Sequence, residues 1–102
     1  MDSNLIFQAL ADTTRRTLLE RIHAGSGRSL SALAVGLNVS RQAVAKHMSI
    51  LEKAELVVSR RVGRERLHYL NPLPFRAVSG RWLRKFEQVK IVDLMPEIEE
   101  QR

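Results

Sequence analysis

A chain of 102 residues with 44% apolar side chains fits one small domain with a modest core, and it excludes a deep enzyme cleft. Lys and Arg outnumber Asp and Glu by 17 to 11, an excess that favours an anionic partner such as nucleic acid. It lies in the body of the chain: residues 1–90 hold 16 basic and 7 acidic side chains and residues 91–102 hold 1 and 4.

In chain order, Ser3 can cap a first helix carrying Leu5, Ile6, Ala9 and Leu10 at helical spacing. Asp12 can cap a second, with Leu18, Leu19 and Ile22 on one side, which should stop at the "AGSG" of residues 24–27. Ser29 restarts the pattern with Leu30, Leu33, Ala34 and Leu37, a short amphipathic helix ending near Gly36 to Asn38. Ser40 caps a fourth, on which Val44, Met48 and Leu51 share one face while Gln42, Lys46, Ser49 and Lys53 share the other. Two helices joined by a tight turn make a helix-turn-helix, whose second helix enters the DNA major groove N-terminus first. Gln can pair bidentately with adenine and Arg with guanine, and a first helical turn can receive a phosphate.

Residues 57–70, "VVSRRVGRERLHYL", read as two strands around Val62-Gly63, with Arg60, Arg61, Arg64 and Arg66 at the tip and flanks. Four arginines with only Glu65 nearby repel one another unless a polyanion is present. The expected fold is therefore mainly α with a small β-hairpin, a winged helix-turn-helix of about five helices and a two-stranded wing. The candidate DNA-binding residues are Ser40, Arg41, Gln42, Ala43, Lys46, His47, Arg60, Arg61, Arg64 and Arg66.

A last helix should start near Leu73 to Phe75, with Phe75, Val78, Trp82, Phe86 and Val89 on one face. With the stripe of the first helix it supplies a candidate dimer surface: Leu5, Ile6, Ala9, Val78, Trp82, Phe86 and Val89. Residues 1–90 are taken as the DNA-binding and dimerisation domain and residues 91–102 as a tail, free or extending the last helix, which Pro96 should end near Met95.

The runs "FQALADTTRRTLLERI", "VSRQAVAKHMSILEKAELV" and "GRERLHYLNP" resemble the ArsR-type family of small bacterial repressors over about residues 4–88. The resemblance implies a homodimer paired through its first and last helices, a palindromic double-stranded DNA operator, repression of its own or a neighbouring operon, and release by an inducer that the sequence does not identify. Metal-sensing members carry Cys-x-Cys ahead of a Leu-Ala pair. Aligning that pair to Leu33-Ala34 places Ser29 and Ser31 at the thiolate positions, and a hydroxyl is a poor ligand for soft metals. The last helix has no histidine for the family's other metal site. No metal or other cofactor is therefore expected. His23 falls at a helix end, His68 on a wing strand, and His47 beside the apolar face of the fourth helix.

No nucleophile motif, Gly-rich phosphate loop or spaced carboxylate pair argues for an enzyme. With no cysteine and no apolar run near the roughly 18 residues of a membrane span, a cytoplasmic protein is expected. Two other readings compete: a winged-helix module that binds protein and not DNA, which has no need of wing arginines, and an RNA binder, which would display stacking aromatics.

Overall fold

The computed structural model describes residues 2–91. In chain order the elements are α1 (Ser3–Leu10), α2 (Thr13–Ala24), α3 (Leu30–Ala34), α4 (Arg41–Lys53), β1 (Val57–Val62), β2 (Glu65–Leu70) and a last helix, α5. The last is α-helical over Pro72–Arg76, π-helical over Ala77–Leu83 and α-helical again over Arg84–Glu87. The expected stop near Met95 and almost all of the tail lie outside the described residues.

Short polar side chains start the helices. Asp12 Oδ1 accepts from the Arg15 amide at 3.0 Å, Ser29 Oγ from Ala32 at 3.2 Å and Ser40 Oγ from Ala43 at 3.1 Å. The first helix departs from the sequence reading, because Asp2 is its cap, accepting from the Asn4 amide at 2.9 Å, and Ser3 is the first helical residue. A carboxylate at this end also meets the helix dipole favourably. The last helix begins with Pro72, whose missing N–H costs nothing in the first turn, and Asn71 caps it.

At its other end α4 closes in a Schellman motif. The Leu56 amide donates to the Leu51 carbonyl at 3.0 Å and the Glu55 amide to the Glu52 carbonyl at 2.9 Å, with Leu51 and Leu56 both fully buried. Glu55 thereby takes φ +62°, the left-handed conformation glycine usually supplies. The strands pair antiparallel from Val57 with Leu70 to Val62 with Glu65. A two-residue turn joins them, and Gly63 takes its first position at φ +62°.

One core joins all these elements: Ile6 and Ala9 from α1, Leu18, Leu19 and Ile22 from α2, Leu33, Val44, Met48 and Leu51 from the helix-turn-helix, Leu56 and Val57 at the foot of the wing, and Val78 from α5. Burying each larger side chain stabilises the fold by about 1.5–3 kcal/mol. The residues of the candidate dimer surface fall into two sets in the single chain. Ile6, Ala9 and Val78 are covered by their own chain, because α1 and α5 pack on the body through them. Leu5, Trp82, Phe86 and Val89 stay exposed, at 39%, 47%, 54% and 66%.

Candidate nucleic-acid interface

The tight turn between α3 and α4 depends on Gly36, at φ +77°, and on an arginine from a third helix. The Arg21 guanidinium donates to the carbonyls of Leu33 and Val35, satisfying acceptors that the end of α3 leaves without helical partners. On α4, Val44, Met48 and Leu51 face the core, while Arg41, Gln42, Lys46, Ser49 and Lys53 are exposed. The cap uses the Ala43 amide, so the Arg41 and Gln42 amides remain as first-turn donors.

The wing stands beside this helix. Cross-strand partners share a face, so Arg61 and Arg66 stand directly opposite each other on the side that carries buried Val57 and His68 lower down. Arg60 pairs with Leu67 on the other side of the hairpin, away from the cleft between wing and α4. That cleft, about 470 Å³, is lined by Arg41 and Ser49 from α4, Ser29 and Ser31 from the start of α3, and Arg64 and Arg66 from the wing. Two carboxylates, Glu52 and Glu65, also line it. Arg66 donates to Ser59 at 2.9 Å and Arg61 Nε to the Gly63 carbonyl at 3.4 Å, and among the described residues none of the four wing arginines pairs with a carboxylate.

His68 fixes the base of the wing. It is 3% exposed, its Nδ1 lies 2.9 Å from the Arg28 carbonyl, and its Nε2 lies 3.8 Å from Glu52 Oε1 on α4. Backbone bonds from Gly27 to His68 and from His68 to Arg28, both 2.9 Å, add a short third rung beside β2. The sequence places this histidine on a wing strand, and no periodicity reports a contact 40 positions away.

His47 is also more engaged than its sequence suggested. Arg15 donates Nε to the Ala9 carbonyl and Nη2 to the Gln8 carbonyl, both at 2.8 Å, and its Nη1 lies 3.2 Å from His47 Nδ1. Arginine can only donate, so this bond makes Nδ1 the acceptor and leaves Nε2 as the nitrogen able to face a phosphate. Asp12 closes the group, 3.9 Å from both Arg15 and His47. The Arg15 amide bond to Asp12 holds that carboxyl below its ordinary pKa, helped by the charge of Arg15. The end of α1 is thus tied to the recognition helix.

Ser29, at one of the aligned thiolate positions, spends its hydroxyl on the α3 cap. Among the described residues no group of three or more His, Cys, Asp or Glu is gathered to hold a metal ion, and no helix is long and apolar enough to cross a membrane.

Comparison with known proteins agrees with this geometry. The family profile described as a helix-turn-helix domain matches residues 10–60. YuzN of Bacillus subtilis, described as an HTH-type transcriptional regulator, is 35% identical over 88 residues, covering 80% of this chain and 96% of that protein. The transcriptional repressor SdpR of the same species is 31% identical over 68 residues, 67% of this chain and 74% of its own. An ArsR-like transcriptional regulator from Rhodococcus sp. RHA1 superposes with a TM-score of 0.73 at 31% identity, over 97% of this chain and 90% of that one.

Proposed function

Because the chain belongs to the ArsR-type family of winged helix-turn-helix transcriptional regulators, and is a DNA-binding regulator and not an enzyme, we propose that it acts as a cytoplasmic homodimer. In this reading it recognises a palindromic operator and represses its own or a neighbouring operon, without sensing metal through cysteine.

One observation carries the DNA reading: Arg41 at the start of α4 and Arg64 and Arg66 of the wing converge on a single cleft. With α4 in the major groove, Arg41 and Gln42 meet base edges and Lys46 and the Ser40 turn meet phosphates. The wing arginines follow the flanking backbone, where their mutual repulsion is neutralised. Arg60, on the outer face, contributes through the long-range field. Repression as the direction of control is supported by the likeness to SdpR, which is itself a repressor.

Pairing is supported by the exposed Trp82, Phe86, Val89 and Leu5, which leave an apolar face on the outside of the single chain. One half-site offers few phosphate contacts, so specificity over a genome's competing sites calls for two half-sites read together. Residues 91–102 are assigned to a tail beyond the domain.

The test measures affinity for a selected duplex, a scrambled duplex and each single strand across a salt series. The expected order is selected duplex, scrambled duplex, single strand, with affinity falling steeply as salt rises. Equal affinity for single strands would favour RNA binding, and no binding at low salt would favour a protein-binding winged helix.

A further inference from the structure

The recognition helix has two flanks. Arg41, Ala45, Ser49 and Glu52 line the cleft toward the wing, and on the helical period His47 falls on the side away from it, where α4 packs on α1 and α2. A helix lying in the major groove has a phosphate backbone along each flank, and the wing arginines stand on one of them. On the other stands the group of Asp12, Arg15 and His47.

Arg15 is held too firmly to reach a phosphate itself. Its side chain is 13% exposed, its Nε and Nη2 donate to the Ala9 and Gln8 carbonyls, and its Nη1 faces His47 Nδ1 at 3.2 Å. The His47 side chain, 22% exposed, makes no other hydrogen bond among the described residues, where no buried side-chain nitrogen lacks a partner. Its Nε2 is therefore open to solvent. A neutral imidazole carries one N–H, and with Nδ1 accepting, that N–H sits on the open nitrogen.

The two groups facing Nδ1 make opposite demands. Arg15 requires an acceptor there, whereas Asp12, with Oδ1 3.9 Å from the same nitrogen, is matched by a donor. Arg15 is the nearer, and it also offsets the charge of Asp12, lying 3.9 Å from Oδ2. Without Arg15 the carboxylate would draw the proton onto Nδ1, and Nε2 would present a lone pair that a phosphate repels.

We propose that Arg15 is a positioning residue for DNA binding: it holds His47 in the Nε2–H form, and that N–H donates to a phosphate on the flank of α4 opposite the wing. The proposal rests on the regulator reading and adds to it a backbone contact unlike those of the wing. A neutral N–H displaces no counterion, so it adds affinity without steepening the salt dependence, whereas each wing arginine does both.

Two measurements test it. Long-range proton–nitrogen NMR of the free protein at about pH 8, above the ordinary imidazole range, reports which ring nitrogen is protonated, and the His47 signals are those missing from His47→Phe. The proton is expected on Nε2 in the natural chain and on Nδ1 in Arg15→Met. Affinity for the selected and scrambled duplexes is then followed across a salt series in the natural chain, both single variants and the double variant. His47→Phe should bind both duplexes about tenfold more weakly with an unchanged salt slope. Arg15→Met should lose a similar factor, and the double variant no more than His47→Phe alone, because Arg15 acts through that ring. Circular dichroism checks folding; should Arg15→Met not fold, the ring proton of the natural chain and the affinity of His47→Phe decide. A proton on Nδ1 in the natural chain, undiminished affinity in His47→Phe, or losses that add in the double variant would each overturn the proposal. A natural chain that binds no duplex at all would overturn the regulator reading, and this proposal with it, while the ring-proton result would stand.

Discussion

Replacing Arg64 and Arg66 together by Ala removes both wing arginines that line the cleft with Arg41. Each lost phosphate contact should make the slope of log affinity against log salt less negative by about 0.9. Two contacts therefore change it by about 1.8, so between roughly 50 and 200 mM salt the variant should lose about tenfold less affinity than the natural chain. Loss of affinity at fixed low salt should be similar on specific and scrambled duplexes, since phosphates carry no sequence. Arg60→Ala is the control, because that side chain pairs with Leu67 on the outer face, and its slope change should be well under half that of the double variant. Fluorescence anisotropy with a labelled duplex at five or more salt concentrations measures both. Thermal stability adds an independent check: Arg66 stands opposite Arg61, and removing one of two facing like charges should not destabilise the hairpin. An unchanged slope, or an equal change from Arg60→Ala, would refute the placement of the backbone along this cleft. A loss confined to one sequence would show the wing reading groove width instead.

Three further outcomes follow from the fold. Glu55→Gly should stabilise the protein by about 0.5–1 kcal/mol, since relief of a left-handed residue exceeds the added unfolded-state entropy; chemical denaturation measures it, and destabilisation would remove strain at this cap. Asp12 has a lowered carboxyl pKa in the folded state, so its stabilisation is present above the ordinary carboxylate range and is lost as pH falls through the folded value. Melting temperatures of the natural chain and Asp12→Asn should therefore converge at acid pH, and a constant gap would contradict this. Trp82→Ala with Phe86→Ala should leave a folded chain, because both rings are exposed, while the sedimenting mass falls from about twice 11.6 kDa to 11.6 kDa; a natural chain already monomeric at tens of micromolar would remove the dimer.

What was legible in the sequence follows the range of the forces involved. Caps and periodicity act within a turn or two, so Asp12, Ser29 and Ser40 could be read as helix starts, and Val44, Met48 and Leu51 as the buried face of α4. Asp2 was missed because two adjacent residues can both cap, and only geometry decides. The candidate dimer stripe mixed two populations: Ile6, Ala9 and Val78 and the exposed Leu5 and Trp82 share a helical spacing, and periodicity cannot tell packing on one's own chain from packing on another. Arg15, Arg21 and His68 carry no local sequence signal for what they do. Their roles, bracing α1 to α4, the end of α3, and the wing to the body, depend on carbonyls 6 to 40 residues away. The π-helical stretch in α5 had no sequence signal either, though Gly80 sits within it.

The most direct measurement is selection from a randomised duplex library by the natural chain and by Arg41→Ala and Gln42→Ala. The natural chain should enrich a two-fold symmetric site with half-sites about one duplex turn, roughly 34 Å, apart. Each variant should lose preference at particular symmetric positions, with about 1–3 kcal/mol less discrimination there and little change in non-specific affinity. No enriched sequence, or one that both variants select unchanged, would contradict the assignment of α4 as the helix that reads DNA.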